Sequence, residues 1–264
     1  MRSKLRVLLV LLLALLFSSC QTINSRTAEL GITQKTVYLS FDDGPDAETT
    51  PELLDVLGRH RVKAIFCLLG VNGEQYPDLI RQIHDGGHVI INHGYSDKFA
   101  VRMKEGEFRD NLIMGEEVIS SALGFDMEPR LYRPQGGFYK SQEERIWKDE
   151  GFCMLPVTIR AHDAALTSAM QKNVARKIAH GVIRKNGGLV LLHDARESWL
   201  RKDSKLEKYP NGSFNRSWIP QTVEDIITEL LGKGFVFPNP DAFIRELLTG
   251  NDPLFTADPV REYS

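Results

Sequence analysis

Several things are scarce in this sequence, and each shortage closes off a reading. Charge of one sign is missing: 33 Lys and Arg stand against 35 Asp and Glu, a formal net charge of −2. With no basic patch interleaved with aromatics, nothing points to a nucleic-acid partner. Long apolar runs are missing too, since Val7 to Phe17 is too short for a comfortable membrane span. Cysteine is sparse, at three residues. Cys67 and Cys153 lie inside apolar runs, where Cys behaves as a small buried hydrophobe, so two buried thiols are expected rather than a bridge. What remains is ordinary globular composition, 42% hydrophobic and 26% charged over 264 residues, enough for one large α/β domain or two small ones.

The first twenty residues stand apart. Arg2, Lys4 and Arg6 precede the apolar run, and Ser18-Ser19-Cys20 follows it. This is the charged start, short apolar centre and small-residue end of an export signal. Cys20 after small residues resembles the lipobox of bacterial lipoproteins, although Phe17 stands where Leu is usual. The expectation is a signal over residues 1–20, a lipid anchor to the membrane at Cys20, a polar tether over 21–35, a folded domain over 36–264, and placement in the bacterial cell envelope.

The domain opens on Thr36–Phe41, a β-rich run that stops at Asp42-Asp43-Gly44-Pro45. Neighbours in a continuing strand face opposite ways, so these two carboxylates share one cavity only because Gly44-Pro45 ends the strand. Two anions so close repel, and a proton or a shared cation relieves them. Further strands are expected at 64–69, 89–92, 131–133, 153–158, 189–193 and 235–237. Between them fall helices near 49–59, 76–84, 106–123, 141–150, 168–185, 222–231 and 241–248, with a capping box at Ser141…Glu144. Such alternation implies parallel strands joined by right-handed crossovers. The fold class is α/β: a distorted parallel (β/α)7-type barrel, with an open doubly wound sheet as the rival.

Asp42-Asp43, His93, Arg133 and His193 each fall at the C-terminal end of an expected strand, the rim where such barrels carry chemistry. His93 and Asp97 are four apart, which on a helical turn puts both on one side; with one Asp of the first motif they make three ligands and leave a position for water. Arg133 is a fixed charge able to hold a carboxylate ionised. His193 ends the apolar run Leu189–Leu192, and so should be half-buried and tunable near neutral pH.

Ser40-Phe-Asp-Asp-Gly-Pro45, Gly87-His-Val-Ile-Ile-Asn-His-Gly-Tyr-Ser-Asp97, Tyr132-Arg-Pro-Gln-Gly136 and Leu191-Leu-His-Asp194 together resemble, in order and spacing, the motifs of the polysaccharide deacetylases, the NodB-like carbohydrate esterases. The resemblance runs from about Lys35 to Pro238. It implies a distorted (β/α) barrel that uses a divalent metal, most often Zn2+, to remove acetyl groups from N-acetylated sugar polymers such as peptidoglycan. Carried over by position, Asp42 matches the general base, Asp43 and His93 metal ligands, Arg133 the brace of the base, and His193 the general acid. Asp163 matches, more loosely, the carboxylate that polarises that His. Pro134, Gly136 and Leu191 fall in the substrate site, Leu191 against the acetyl methyl group and Gly136 with a backbone N–H for the oxyanion.

Three departures stand out. Asp97 replaces the usual second His ligand, which favours harder ions, so Mn2+ or Mg2+, and also Co2+ or Ni2+, join Zn2+ as candidates. Gly136 replaces a Tyr that walls the cleft, and Ala164 replaces a Trp of the acetyl pocket. The stretch 195–218 holds Trp199, Tyr209, Phe214 and Trp218, whose faces suit sugar rings if it lies at the rim. Two other functions stay open on these residues: an O-acetyl sugar esterase and a non-enzymatic sugar-binding lipoprotein.

Overall fold

The computed structural model describes residues 32–163, 168–195 and 216–249, together with the two-residue strand Gln21–Thr22. Among these residues the centre is a parallel sheet of seven strands: β1 (Thr36–Asp42), β2 (Ile65–Leu68), β3 (Val89–Asn92), β4 (Leu131–Tyr132), β5 (Cys153–Met154), β6 (Ile159–Arg160) and β7 (Gly187–His193). Their spatial order is β5-β4-β3-β2-β1-β7-β6. Helices α1 (Thr49–His60), α2 (Pro77–Asp85), α3 (Glu105–Leu123), α4 (Ser141–Asp149), α5 (Gln171–Lys185), α6 (Ile219–Gly232) and α7 (Pro240–Thr249) surround it.

The topology forces the sheet to curl. A flat sheet of this size is about 29 Å wide, yet its opposite edges β5 and β6 are joined by residues 155–158 alone. A link that short reaches at most about 18 Å. The edges therefore face each other across an unpaired seam, which makes an incomplete barrel, as expected. The expected strand 153–158 is thereby divided: Cys153–Met154 pairs with β4 and Ile159–Arg160 with β7. Pro156 lies between them and has no N–H for a ladder. The last expected strand, 235–237, is reduced to one bridge between Thr36 and Val236.

Alternation along β1 and β7 decides what faces the barrel mouth. Val37, Leu39 and Phe41, with Val190 and Leu192, are buried in the core under the helices. Each such side chain contributes about 1.5–3 kcal/mol, and a one-residue slip would turn all of them into the barrel and Asp42 out of it. Tyr38, Ser40 and Asp42 take the inner face. Below the site the interior is filled by Tyr38, Ile65, Cys67, Ile91, Leu131 and Leu189, and α7 plugs the far end, where Phe243 stacks on Tyr38 at 4.4 Å.

Helix starts follow local chemistry. The Asp46 carboxylate accepts the N–H groups of Glu48 and Thr49 ahead of α1. At α4 the cap sits one residue before the expected box, with Glu143 accepting the Lys140 N–H at 2.6 Å. The expected tether is partly docked: Gln21–Thr22 pairs antiparallel with Phe138–Tyr139, and Ile32 is buried. Cys67 and Cys153 are free thiols, Cys67 buried and Cys153 half-buried. Among the described residues no helix is long and apolar enough to cross a membrane. Residues 1–20, the anchor position Cys20, Ala164, and the aromatics Trp199, Tyr209 and Phe214 lie outside the described residues.

Candidate active site

The C-terminal ends of β1, β2, β3, β4 and β7 meet on one rim: Asp42 is in register with His193 and with Cys67, and Leu68–Asn92–Tyr132 is the next row, one residue further along. Above this rim lies a cavity of about 200 Å3, lined by Asp42, Asp43, His93, Asp97, Leu191 and His193 among others. Asp42 faces inward by strand alternation. Asp43 has left the strand, with φ +76, and so turns its side chain into the same cavity instead of the opposite face.

Asp42 is buried, and its Oδ1 accepts a hydrogen bond from an Arg133 Nη1 at 2.7 Å. The same nitrogen donates to Ser40 Oγ, and Arg133 Nε donates to the Leu155 carbonyl, so the guanidinium is fixed from both sides. Burial alone would raise the Asp42 carboxyl; the charge of Arg133, with His93 and His193, outweighs it and holds the group below its ordinary value. The result is a carboxylate kept ionised without solvent.

His193, directly across, is partly exposed to the cavity. Its Nδ1 donates to Asp163 Oδ1 at 3.0 Å, and its backbone N–H to Asp163 Oδ2 at 2.9 Å. One carboxylate thus fixes both the ring and the strand end, and leaves Nε2 toward the cavity. Burial would lower this imidazole, but Asp163, then Asp43 and Asp42, push it up to about 9. Asp163 itself sits below its ordinary value: burial raises it, and the His193 charge and hydrogen bond more than compensate. Arg216, buried, donates to the Asp163 carbonyl at 2.7 Å and keeps that loop against β7.

His93 is oriented by donating from Nδ1 to the Arg133 carbonyl at 2.7 Å. Its Nε2 then meets Asp43 Oδ1 at 3.4 Å and Asp42 Oδ2 at 3.8 Å. A positive charge is needed between them. A proton supplies one: burial lowers the ring, yet Asp42 and the Asp43 hydrogen bond carry it above the ordinary value. A divalent cation is the alternative, since two ligands of one tetrahedral ion stand about 3.4 Å apart, and a ring anchored through its other nitrogen is how metal-binding His is usually held. Asp43 and His93 therefore fit a metal. Asp97 lines the same cavity, but among the described residues no three His, Cys, Asp or Glu side chains are gathered tightly enough to enclose an ion.

The expected helical turn over 93–97 does not form. The chain bends at Gly94 (φ +81), and Asn111 of α3 pins the bend, its carbonyl taking the Tyr95 N–H and its side chain the Ser96 N–H. A Cβ at Gly94 would collide with Gln135 and Asn111. Spacing of four is thus not what brings His93 and Asp97 to one cavity; the pinned bend is.

Comparison with known proteins now decides the family. A family model described as polysaccharide deacetylase matches residues 31–155. A chitooligosaccharide deacetylase of Bradyrhizobium sp. is 32% identical over 167 residues, 61% of this chain and 71% of that protein. The crystal structure of a peptidoglycan N-acetylglucosamine deacetylase in complex with 4-naphthalen-1-yl-N-oxidanyl-benzamide superposes with a TM-score of 0.61 at 30% identity, covering 78% of this chain and 86% of that one. The chain belongs to the polysaccharide deacetylase family. The chain's curated relatives in Bacillus cereus and Bradyrhizobium sp. are named as deacetylases of peptidoglycan N-acetylglucosamine and of chitooligosaccharides, respectively. A peptidoglycan-N-acetylglucosamine deacetylase of Bacillus cereus is 45% identical over 127 residues, and there the chain spans just under half of the relative's length, 46%.

Against the deacetylase motifs, Asp42, Asp43, His93, Asp97, Asp163, Leu191, His193 and Gly136 all line the cavity, and Arg133 lies behind Asp42. Pro134 does not line it. Its ring is buried and its carbonyl takes the Gly137 N–H, while Gln135 occupies the wall and donates to the His93 carbonyl. The wall expected to be lost at Gly136 is filled from elsewhere: at φ +71 Gly136 lies against the Phe99 ring, which a Cβ would meet at 2.9 Å, and both face the cavity. Trp218 is no sugar platform, being buried in the core under the helices. Sequence reading passed over Phe99, Gln135, Arg160 and Asn111. Asn111 and Phe99 carry no motif and act only through packing, but Arg160 stands three residues before Asp163, where a charge in an apolar run was visible.

Proposed function

We propose that this protein hydrolyses the acetamide of N-acetylated sugars in a polysaccharide such as peptidoglycan or a chitin-like oligomer, releasing acetate and a free sugar amine. The observation that carries the reading is that Asp42 and His193, register partners at the ends of adjacent strands, line one cavity. Arg133 keeps the first ionised and Asp163 keeps the second protonated, so a base and an acid coexist at neutral pH. A pure binder has no use for that pair.

Asp43 and His93, with Asp97 lining the same cavity, would hold a divalent cation, which would supply Lewis acidity toward the acetyl carbonyl and lower the pKa of the attacking water. Two carboxylates and one imidazole admit Zn2+ and also harder ions such as Mn2+. Asp42 accepts the water proton as the new C–O bond forms on the amide carbon. The Gly136 backbone N–H, in the lining of the same cavity, would be the donor for the developing oxyanion. His193 Nε2 delivers its proton to the nitrogen as the C–N bond breaks. Leu191 meets the acetyl methyl group, and Phe99 offers an aromatic face to the sugar. Export and a lipid anchor at Cys20 would place this chemistry at the cell wall, as the names of the relatives fit.

The test is acetate release from N-acetylglucosamine oligomers by the purified protein, before and after chelation, beside bound-metal analysis of the same sample. An O-acetylated sugar in parallel distinguishes amide from ester hydrolysis. Release from neither substrate with metal bound would end the reading.

A further inference from the structure

Charge is balanced over the chain but not over its surface. Helices α1–α4, α6 and α7 each carry Asp or Glu, whereas α5 carries none against five cations: Lys172, Arg176, Lys177, Arg184 and Lys185. All five are exposed, with His180 exposed among them. Among the described residues no carboxylate lies within 4 Å of any of the five. On the neighbouring α6, Glu224 turns away to Arg59 and His60 of α1, and Asp225 takes the Gln221 amide. The helix gains nothing from this composition. Lys172 and Arg176 are four apart, where like charges repel, and Lys172 sits in the first turn against the helix dipole with no acid beside it. Lys185 is pushed below its ordinary value, by partial burial and then by the charge of Arg184.

An opposite charge laid over the helix reverses all three effects. The cations cover the width of its solvent face as well as its length: at 3.6 residues per turn Lys172 and Lys177 stand about 140° apart around the axis, and Lys172 to Lys185 spans about 20 Å along it. A single polymer strand lying along a helix touches a narrow line, so the partner that matches this face is a surface. We propose that the solvent face of α5 docks on the anionic headgroups of a phospholipid bilayer. As the crossover between the parallel strands β6 and β7, α5 runs opposite to them, from the mouth of the barrel to its far end. Docked along its length, it lays the barrel on its side, and the cavity opens along the membrane rather than against it. A glycan entering the cavity would reach only the mouth end of the helix, at Lys172 and Arg176. None of this depends on what the cavity hydrolyses.

The full chain is sedimented with vesicles of equimolar phosphatidylglycerol and phosphatidylcholine, and with phosphatidylcholine alone. Three proteins are compared: wild type, Lys172→Gln/Arg176→Gln/Arg184→Gln, and Arg61→Gln/Arg81→Gln/Lys233→Gln, which removes as many exposed cations from other faces. Lys177 and Lys185 are kept because they also donate to the Ala161 and Thr158 carbonyls. Any contribution of residues 1–20 is common to all three proteins. Each cation near an anionic membrane is worth about fivefold in partitioning, so the α5 triple is expected to lose about a hundredfold of the anionic-over-neutral preference and the control triple less than about threefold. Equal losses in the two triples would reduce the effect to net charge and overturn the proposal, as would no loss in either. If the α5 triple loses binding to purified peptidoglycan sacculi while its vesicle binding is unchanged, a wall polymer is the occupant and the bilayer proposal is overturned. Thermal unfolding separates a role in folding. Relieved of like-charge repulsion, the α5 triple is expected to melt no lower than wild type; a lower midpoint would mean that these cations serve the helix itself, which also overturns the proposal.

Discussion

Replacing Asp163 by Asn separates the charge on the His193 partner from its shape. Asn keeps the size of the side chain and an oxygen for the ring N–H; it gives up the acceptor for the His193 backbone N–H, a pH-independent loss, and removes the anion that does most to hold His193 protonated. With that anion gone, burial pulls the imidazole down against the weaker influence of Asp43 and Asp42, and its pKa returns from about 9 toward the ordinary 6.5. The acid must be protonated to act, so activity is present below its pKa and lost above it. At pH 8 a group of pKa 9 is about 90% protonated and one of 6.5 about 3%, so the lost charge in Asp163→Asn should by itself cost about thirtyfold in kcat/KM there, and less than twofold at pH 6. The assay is acetate release between pH 5.5 and 9.5 for both proteins at saturating metal. An alkaline limb at the same pH in both, or a loss uniform across the range, would refute the electrostatic role and leave Asp163 a mere spacer.

Three further expectations can be checked directly. Asp42→Asn should reduce turnover by a thousandfold or more, on the order of losing an essential base, while equilibrium dialysis still finds bound cation; His93→Ala should do the reverse and lose the cation first. Arg133→Met leaves the Asp42 carboxylate buried without its counter-charge and should destabilise by about 3–5 kcal/mol in urea titrations, with the Asp42→Asn/Arg133→Met double variant recovering most of it. Gly94→Ala combines a left-handed backbone with collisions at Gln135 and Asn111, and should cost about 3 kcal/mol or more in thermal unfolding; a loss under 1 kcal/mol would mean the 93–97 bend is not what that glycine serves.

The parts of the molecule legible in sequence are those written in short-range pattern. Strands ending in charged residues located the rim, because parallel strands share one direction and their ends collect on one face. Helix bounds followed apolar periodicity to within a few residues. What was not legible depends on contacts between distant segments. No local signal says that residues 153–160 serve both edges of the sheet, since that follows only from closing it. The bend at Gly94 is set by Asn111, on the next helix. Phe99 replaces a missing aromatic wall from another loop, and Trp218 turns inward because α6 offers it a core. At Pro134 the ring is buried and the carbonyl closes a turn onto Gly137, while its neighbour Gln135 lines the cavity, a placement no motif pattern encodes.

The pairing of β1 with β7 has a consequence for how the molecule is made. Ser40 Oγ bonds the carbonyl of Val190, 150 positions later, so the strand bearing Asp42 has an open side until the far end of the domain has been synthesised. At about 5–20 residues per second that wait is about 8–30 s, during which an apolar strand edge is a template for any other chain. A truncated product ending near residue 155, where the family match also ends, would keep the base and lack the acid, and would keep that edge bare. Such a fragment is expected to aggregate rather than to show partial activity.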